Sequence, residues 1–258
     1  CTKVITVFPS NVGFGHDGHQ GVVLLYSAST GSLLSIADAH EITGVRTAAA
    51  SAVATRLLAK KGPCVLCILG SGFQAGKHLE AMQCVREITE VRVWSRTKER
   101  AEAFATSTGT CVSVFNNAEE AVRGADIVCT LTTATSPILQ YSWLKAGAHV
   151  NAVGSCHPCQ QELDEECIVK GRVFCDTIEG CLQGLTRTGD LVKPIDAGIF
   201  SADSITELAS ALEMGKGRED VDEVTVFKSV GFAIEDLCSA VALYESVRKE
   251  PDGTFPTM

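Results

Sequence analysis

Val65-Leu66-Cys67-Ile68-Leu69-Gly70-Ser71-Gly72-Phe73-Gln74-Ala75 carries an apolar strand into a Gly-x-Gly-x-x-Ala turn and then into a helix. Each small residue has a task at a dinucleotide site. Gly70 permits a sharp turn, Gly72 lets backbone N–H groups approach a pyrophosphate, and Ala75 lets the helix pack closely on the strand. The unpaired N–H groups at the helix start, with Phe73 and Gln74, then face the phosphates. A glycine pattern alone is weak, because a purely structural turn can share it. Here a helix over 74–86 and a second strand over 90–94 complete the unit, so the sequence predicts a nucleotide-binding βαβ fold.

The end of that second strand selects the cofactor. An acidic residue there would bind the ribose 2′-OH of NAD and repel a 2′-phosphate. The chain instead reads Val93-Trp94-Ser95-Arg96-Thr97-Lys98. Ser95, Arg96 and Thr97 offer two hydroxyls and a guanidinium fork, which predicts NADPH. A helix cap would account for Ser95 or Thr97 but not for Arg96 beside them.

From 63 to 176 strands and helices alternate, which predicts a Rossmann-type, doubly wound parallel sheet. Strands are expected over 64–69, 90–94, 111–115, 127–131, 149–153 and 173–176, with helices over 74–86, 98–106 and 118–122. Thr132 and Thr133 follow one strand and Val153 ends another, so they fall in the carboxyl-end crevice where the cofactor lies. Ordinary strand-end capping is the alternative. Ahead of this region, strands over 3–8, 22–27 and 33–38 form an antiparallel meander, followed by a helix over 43–60. After Asp176 the pattern is mostly helical, over 178–185 and 205–214. Val224-Thr225-Val226-Phe227-Lys228-Ser229-Val230-Gly231 then leads into a helix over 233–248. Its Ile234, Leu237, Val241 and Tyr244 recur at spacings of three and four, so one face is expected to pack against the N-terminal segment. The predicted organisation is a discontinuous α+β substrate and dimerisation domain, built from 1–60 and 201–258, around a nucleotide domain over 61–200.

The 258 residues suffice for one large core or two modest ones, and 45% hydrophobic with 21% charged residues is an ordinary globular balance. A formal net charge of −9 argues against a general nucleic-acid binder. No apolar run reaches the ~18 residues of a membrane span. Cys1-Thr2-Lys3-Val4-Ile5-Thr6-Val7-Phe8 already reads as a strand in mid-fold, so further residues are expected ahead of Cys1. The 12 cysteines mostly fall within apolar strands and helices, which fits buried thiols in a reducing cytosol and predicts a cytoplasmic protein. Cys64 and Cys67 share one strand at a spacing that sends them to opposite faces, a structural pair. Cys156-His157-Pro158-Cys159 follows a strand as a thioredoxin-like motif would, and a redox role is open there. A zinc site would need a further ligand.

Four separated segments, Gly44-Val45-Arg46-Thr47-Ala48-Ala49-Ala50-Ser51, Leu69 to Ala75, Trp94-Ser95-Arg96-Thr97 and Phe227-Lys228-Ser229-Val230-Gly231, together resemble the ornithine cyclodeaminase/mu-crystallin family. The resemblance covers nearly the whole chain. It implies a homodimeric, NADPH-dependent reductase acting on the C=N bond of a cyclic ketimine carboxylate of the piperideine- or pyrroline-carboxylate type. It places Lys3 and Arg46 at the substrate, with Arg46 also touching the cofactor, and adds Thr47 and Ser229 to the cofactor contacts. In the mu-crystallin branch it adds thyroid hormone as a ligand, although Arg187 stands where that branch has an acidic residue. The cyclodeaminase branch carries an aspartate where this chain has Cys156, and a thiol cannot hold an ammonium and accept a proton as a carboxylate does. Reduction is therefore expected over deamination. The rival readings are a cyclodeaminase or amino-acid dehydrogenase on the same scaffold, and a binding or lens protein that holds NADPH with little turnover.

Overall fold

The computed structural model describes residues 1–8, 11, 15–184 and 186–249. Among these residues the chain divides into two compact units, Cys1–Thr47 with the segment that begins at Phe232, and Ala48–Gly231.

The first unit opens with β1 (Thr2–Val7), β2 (His19–Tyr26) and β3 (Leu33–Asp38), an antiparallel sheet in that order. This is the expected meander. Alternation sends Val23, Leu25 and Ala37 to one face. There they meet Leu237, Ala240, Val241 and Tyr244 of the C-terminal helix α9 (Ala233–Lys249). That helix returns to the N-terminal sheet as its periodicity implied, except that Ile234 is exposed. Helix α1 (Ala39–Leu58) starts at Asp38, whose Oδ1 accepts the N–H groups of His40 and Glu41 at 2.7 and 3.0 Å.

The second unit is wound about an eight-stranded sheet whose registered pairs are all parallel. Its elements are β4 (Cys64–Leu69), α2 (Phe73–Val85), β5 (Ile88–Trp94), α3 (Lys98–Ser107), β6 (Val112–Val114), α4 (Ala118–Val122), β7 (Ile127–Thr130), β8 (His149–Ala152), α5 (Glu165–Lys170), β9 (Arg172–Cys175), α6 (Ile178–Leu182), α7 (Gly189–Asp196), β10 (Thr206–Glu207), α8 (Leu208–Glu213) and β11 (Thr225–Lys228). The strand order is β10-β9-β11-β8-β7-β4-β5-β6. The winding reverses between β4 and β7, which is where an open parallel sheet presents its ligand crevice. On one face α2 and α3 bury Ala75, Leu79, Met82, Ala101 and Phe104 with Leu66, Ile68 and Val93 of the strands. On the other, α4, α5 and α7 bury Ala121, Val122, Ile168 and Leu191 with Cys67, Leu69 and Val150. Cys64 and Cys67 fall in these opposite cores, as their spacing required.

Three expectations are corrected. The helix over 205–214 is a two-residue strand, β10, followed by the short α8, because Thr206 and Glu207 pair with Phe174 and Cys175 at the sheet edge. The helix over 178–185 ends at Leu182, and Leu185 lies outside the described residues. The segment leading into α9 holds β11, which lies between β8 and β9. Thr225-Val226-Phe227-Lys228 is buried at every position, so it lacks the two-residue alternation of a half-buried strand. The second compact unit itself runs from Ala48, within α1, to Gly231.

Candidate active site

The fingerprint turn has the geometry its residues call for. Gly70 has φ +121°, and a Cβ there would come within 2.7 Å of the Leu131 carbonyl oxygen, so the position needs glycine on two counts. A Cβ on Gly72 would meet no atom within 4 Å, which leaves open space directly over the start of α2. Ala75 is fully buried, and its N–H donates to Gly72 O at 2.9 Å.

Helix starts in this unit differ in one respect. Asn117, Asp164 and Thr188 cap α4, α5 and α7 with side-chain hydrogen bonds. Gly72 and Thr97, at the starts of α2 and α3, make none, and neither do Thr177 and Glu207 at the starts of α6 and α8. The starts of α2 and α3, without a side-chain cap from Gly72 or Thr97, lie beside the carboxyl ends of β4 and β5, a setting suited to phosphate oxygens. Ser95 is half-buried, while Arg96 and Thr97 are exposed. Arg96 has no hydrogen bond or ion pair among the described residues. Gly70, Gly72, Phe73, Gln74, Ser95, Arg96, Thr97, Thr132, Thr133, Val153 and Ser229 all follow the carboxyl ends of the adjacent strands β5, β4, β7, β8 and β11, on one edge of the sheet. These residues fit a dinucleotide.

Two of the expected contact residues also carry internal hydrogen bonds. Thr132 Oγ1 donates to Glu162 Oε1 at 2.8 Å and accepts from Ala134 N–H at 3.2 Å. Ser229 Oγ donates to Asp176 Oδ2 at 3.2 Å, an oxygen that also accepts the N–H groups of Val230 and Gly231 at 2.7 Å each. Thr133 is exposed and Val153 buried.

Beneath these strand ends lies a network that sequence reasoning missed. Glu162 is fully buried. Its Oε1 accepts from Thr132 N–H at 2.6 Å and from Thr132 Oγ1, and its Oε2 from Thr130 Oγ1 at 2.7 Å and Gly154 N–H at 2.8 Å. One carboxylate thereby ties the loop after β7 to the loop after β8. The two loops touch so closely that a Cβ on Gly154 would fall 2.1 Å from Thr132 O. Lys228 Nζ, with no exposure, lies 3.1 Å from Asp190 Oδ2, and Asp190 Oδ1 accepts the N–H groups of Glu162 and Leu163 at 2.8 and 3.0 Å. Burial pushes the Glu162 carboxyl above the usual carboxylate range, and the Lys228 charge opposes that push. Burial likewise disfavours the Lys228 ammonium, but Asp190, Cys156 and Glu162 outweigh it and hold its pKa above the usual lysine value. Both backbone N–H groups on Glu162 can only donate, so the geometry fits the ionised carboxylate. The legible signal was Lys228 itself, a charge inside an apolar strand, which requires a buried acid.

In the first unit, Lys3 and Arg46 are brought together by acids from the first turn of α9. Lys3 Nζ lies 2.9 Å from Asp236. Arg46 Nη1 lies 2.9 Å from Glu235 Oε2, and its Nε 3.2 Å from Asp236 Oδ1. Glu235 and Asp236 were legible only as helix-start acids. They neutralise the two cations and fix where they point, while Arg46 Nη2 keeps no partner among the described residues. Thr47, next to Arg46, is buried.

These features agree with comparisons to known proteins. The model of the ornithine cyclodeaminase/mu-crystallin family matches residues 1–251. The ketimine reductase mu-crystallin of Mus musculus is 41% identical over 245 residues, covering 95% of this chain and 75% of the mouse protein. A Delta(1)-pyrroline-2-carboxylate reductase of Bacillus cereus is 40% identical over 257 residues, covering 97% of this chain and 78% of the bacterial one. The solved structure of Thermococcus litoralis Delta(1)-pyrroline-2-carboxylate reductase, in complex with NADH and L-proline, aligns with a TM-score of 0.90 at 35% identity, over 96% of this chain and 77% of that one. With the fingerprint turn, the strand-end cluster and the whole-length match in agreement, the chain belongs to the ornithine cyclodeaminase/mu-crystallin family.

Proposed function

We propose that this protein is a nicotinamide-dependent reductase of cyclic ketimine carboxylates, with NADPH as its cofactor. The observation that carries the reading is the pair of helix starts at Gly72 and Thr97 without a side-chain cap, with Arg96 making no hydrogen bond or ion pair among the described residues beside them. The reductase relatives support the reaction class.

Once bound, a nicotinamide would supply a hydride to the C=N carbon of the protonated imine, giving the amine. The chain's own residues bind and orient. The Gly72 turn and the first turn of α2 hold the pyrophosphate, and Ser95, Arg96 and Thr97 hold the 2′-phosphate that distinguishes NADPH from NADH. Glu162, through Thr132 N–H and Gly154 N–H, fixes the two loops on which the cofactor rests. Lys3 and Arg46 hold the substrate carboxylate. Their pairing with Asp236 and Glu235 preorganises the donors, so little side-chain ordering remains to be done on binding. A protonated cyclic imine is already electrophilic, so holding and charge neutralisation suffice and no nucleophile is required.

A second copy of the chain covers the outer face of the β1-β2-β3 sheet. That face leaves Val4 55%, Ile36 62% and Tyr26 41% exposed, a concentration of apolar surface that favours a partner. The test of the function is nicotinamide oxidation, followed by absorbance, with pyrroline- and piperideine-carboxylate against ornithine and against α-keto acids with ammonia. Turnover of the cyclic imines with NADPH preferred supports the reading. Ammonia release from ornithine, or binding of NADPH without turnover of any imine, refutes it.

A further inference from the structure

The segment Cys156-His157-Pro158-Cys159 has no task in the function above. It follows β8 as a turn closed by Gln160 N–H to His157 O at 2.9 Å, and both of its thiols are exposed. Within the turn the two sulfurs differ. Cys159 Sγ lies 3.0 Å from His157 Nδ1, and the Cys159 N–H donates to the same nitrogen at 3.3 Å. A backbone N–H can only donate, so Nδ1 is the acceptor and the proton of the neutral ring is on Nε2. The thiol of Cys159 is then the donor, and His157 is placed to take its proton. Cys156 has a different partner: its Sγ donates to the Val153 carbonyl at 3.3 Å.

The other cysteines provide the contrast. Burial pushes the thiols of Cys64 and Cys129 up to about 11 and about 12, and that of Cys167 beyond the titratable range, so they stay unreactive. Cys1, Cys84, Cys111 and Cys238 are exposed, but no basic nitrogen is hydrogen-bonded to their sulfurs among the described residues.

We propose that Cys156 and Cys159 form a dithiol site that a peroxide oxidises to a disulfide, with Cys159 the attacking sulfur and Cys156 the resolving one. Cys159 passes its proton to His157 Nδ1, and the thiolate attacks one peroxide oxygen. The O–O bond breaks, a sulfenic acid forms on Cys159, and the departing oxygen takes the proton back from His157 and leaves as water. Cys156 then attacks the Cys159 sulfur. The S–O bond breaks, and the hydroxyl leaves with the Cys156 proton as a second water. Two thiols lose two electrons and the peroxide gains them. Cys156 must give up its contact with Val153 O, so oxidation acts on the backbone one residue before Gly154.

The test treats the reduced full chain with one equivalent of hydrogen peroxide and reads the products by mass spectrometry of proteolytic fragments, with circular dichroism confirming that each variant is folded. The expected product is a loss of two hydrogens on the fragment holding Cys156 and Cys159, restored by dithiothreitol. In Cys156→Ser the sulfenic acid persists on Cys159 and is trapped by dimedone. In His157→Gln the reaction of Cys159 slows about tenfold, toward the rate of the exposed but unassisted Cys84. Reaction of Cys159 no faster than that of Cys84 and Cys111 in the native chain overturns the proposal. So does an unchanged rate in His157→Gln, or a dimedone adduct that appears on Cys156 in Cys159→Ser as readily as on Cys159 in Cys156→Ser.

Discussion

Replacing Glu162 by Gln preserves its shape and removes its charge, and the structure makes the consequence unusually specific. Each carboxylate oxygen accepts one backbone N–H, from Thr132 at 2.6 Å on one side and from Gly154 at 2.8 Å on the other. Either orientation of the amide therefore turns its NH₂ toward a donor that cannot rotate away. The threonine hydroxyls can reorient to accept, but the backbone groups cannot. One buried donor is left unsatisfied at a cost of about 1–3 kcal/mol. The other hydrogen bonds lose their charge assistance, and the buried Lys228 keeps only Asp190 as counter-ion, which brings the total to about 3–5 kcal/mol. In a unit of this size that lowers the melting temperature by roughly 10 °C, measured by circular dichroism. Because the strain falls on the loops after β7 and β8, affinity for NADPH should drop about tenfold or more at temperatures where the variant is still folded. Glu162→Ala is expected to be no worse than Glu162→Gln, since it leaves space for water to satisfy the two N–H groups. A Glu162→Gln protein that melts and binds NADPH as the native one does would refute the argument.

Arg96→Ala should weaken NADPH by about 1.5–3 kcal/mol while leaving NADH nearly unchanged, as read by titration of both cofactors, because only NADPH loses a charge-assisted pair; equal losses would remove Arg96 from the 2′-phosphate. Lys3→Met should lower kcat/KM for a cyclic imine carboxylate by roughly 10²-fold, but much less for an uncharged cyclic imine. If both substrates suffer alike, Lys3 serves only Asp236. His149 and His78 are fully buried, and desolvation lowers their pKa values to about 3 and about 4. Both fall below the unfolded value, so the unfolded chain binds the extra protons. The stability these residues contribute is complete above about pH 6.5 and is lost as the pH falls toward 4 and 3, on the order of a few kcal/mol each. Urea unfolding at pH 7, 6 and 5 should show the decline, and His149→Gln should make it shallower. An identical slope in the variant would show that other groups govern acid unfolding.

Local rules made the nucleotide turn legible. Gly70, Gly72 and Ala75 answer to steric demands that act within a few residues, and the absence of an acid after Trp94 is a fact of sequence. The meander, the alternation of the central sheet and the opposite destinations of Cys64 and Cys67 follow from side-chain period, which is also local. β11 was hidden because a strand buried on both faces has no alternation to display, and because Lys228 argues against burial until Asp190, 38 residues away, is seen beside it. For the same reason Glu162 looked like one acid among many, since what marks it is the convergence of donors from two separate loops. Lys3 and Arg46 were found by resemblance, but their pairing with Asp236 and Glu235 depends on α9 returning across more than 180 residues. What the sequence by itself determined is the set of elements whose physics is short-range. Tertiary structure alone decided where the buried charges are compensated, because a charge taken out of water must be paired through space, and the chain sets no limit on how far along it the partner lies.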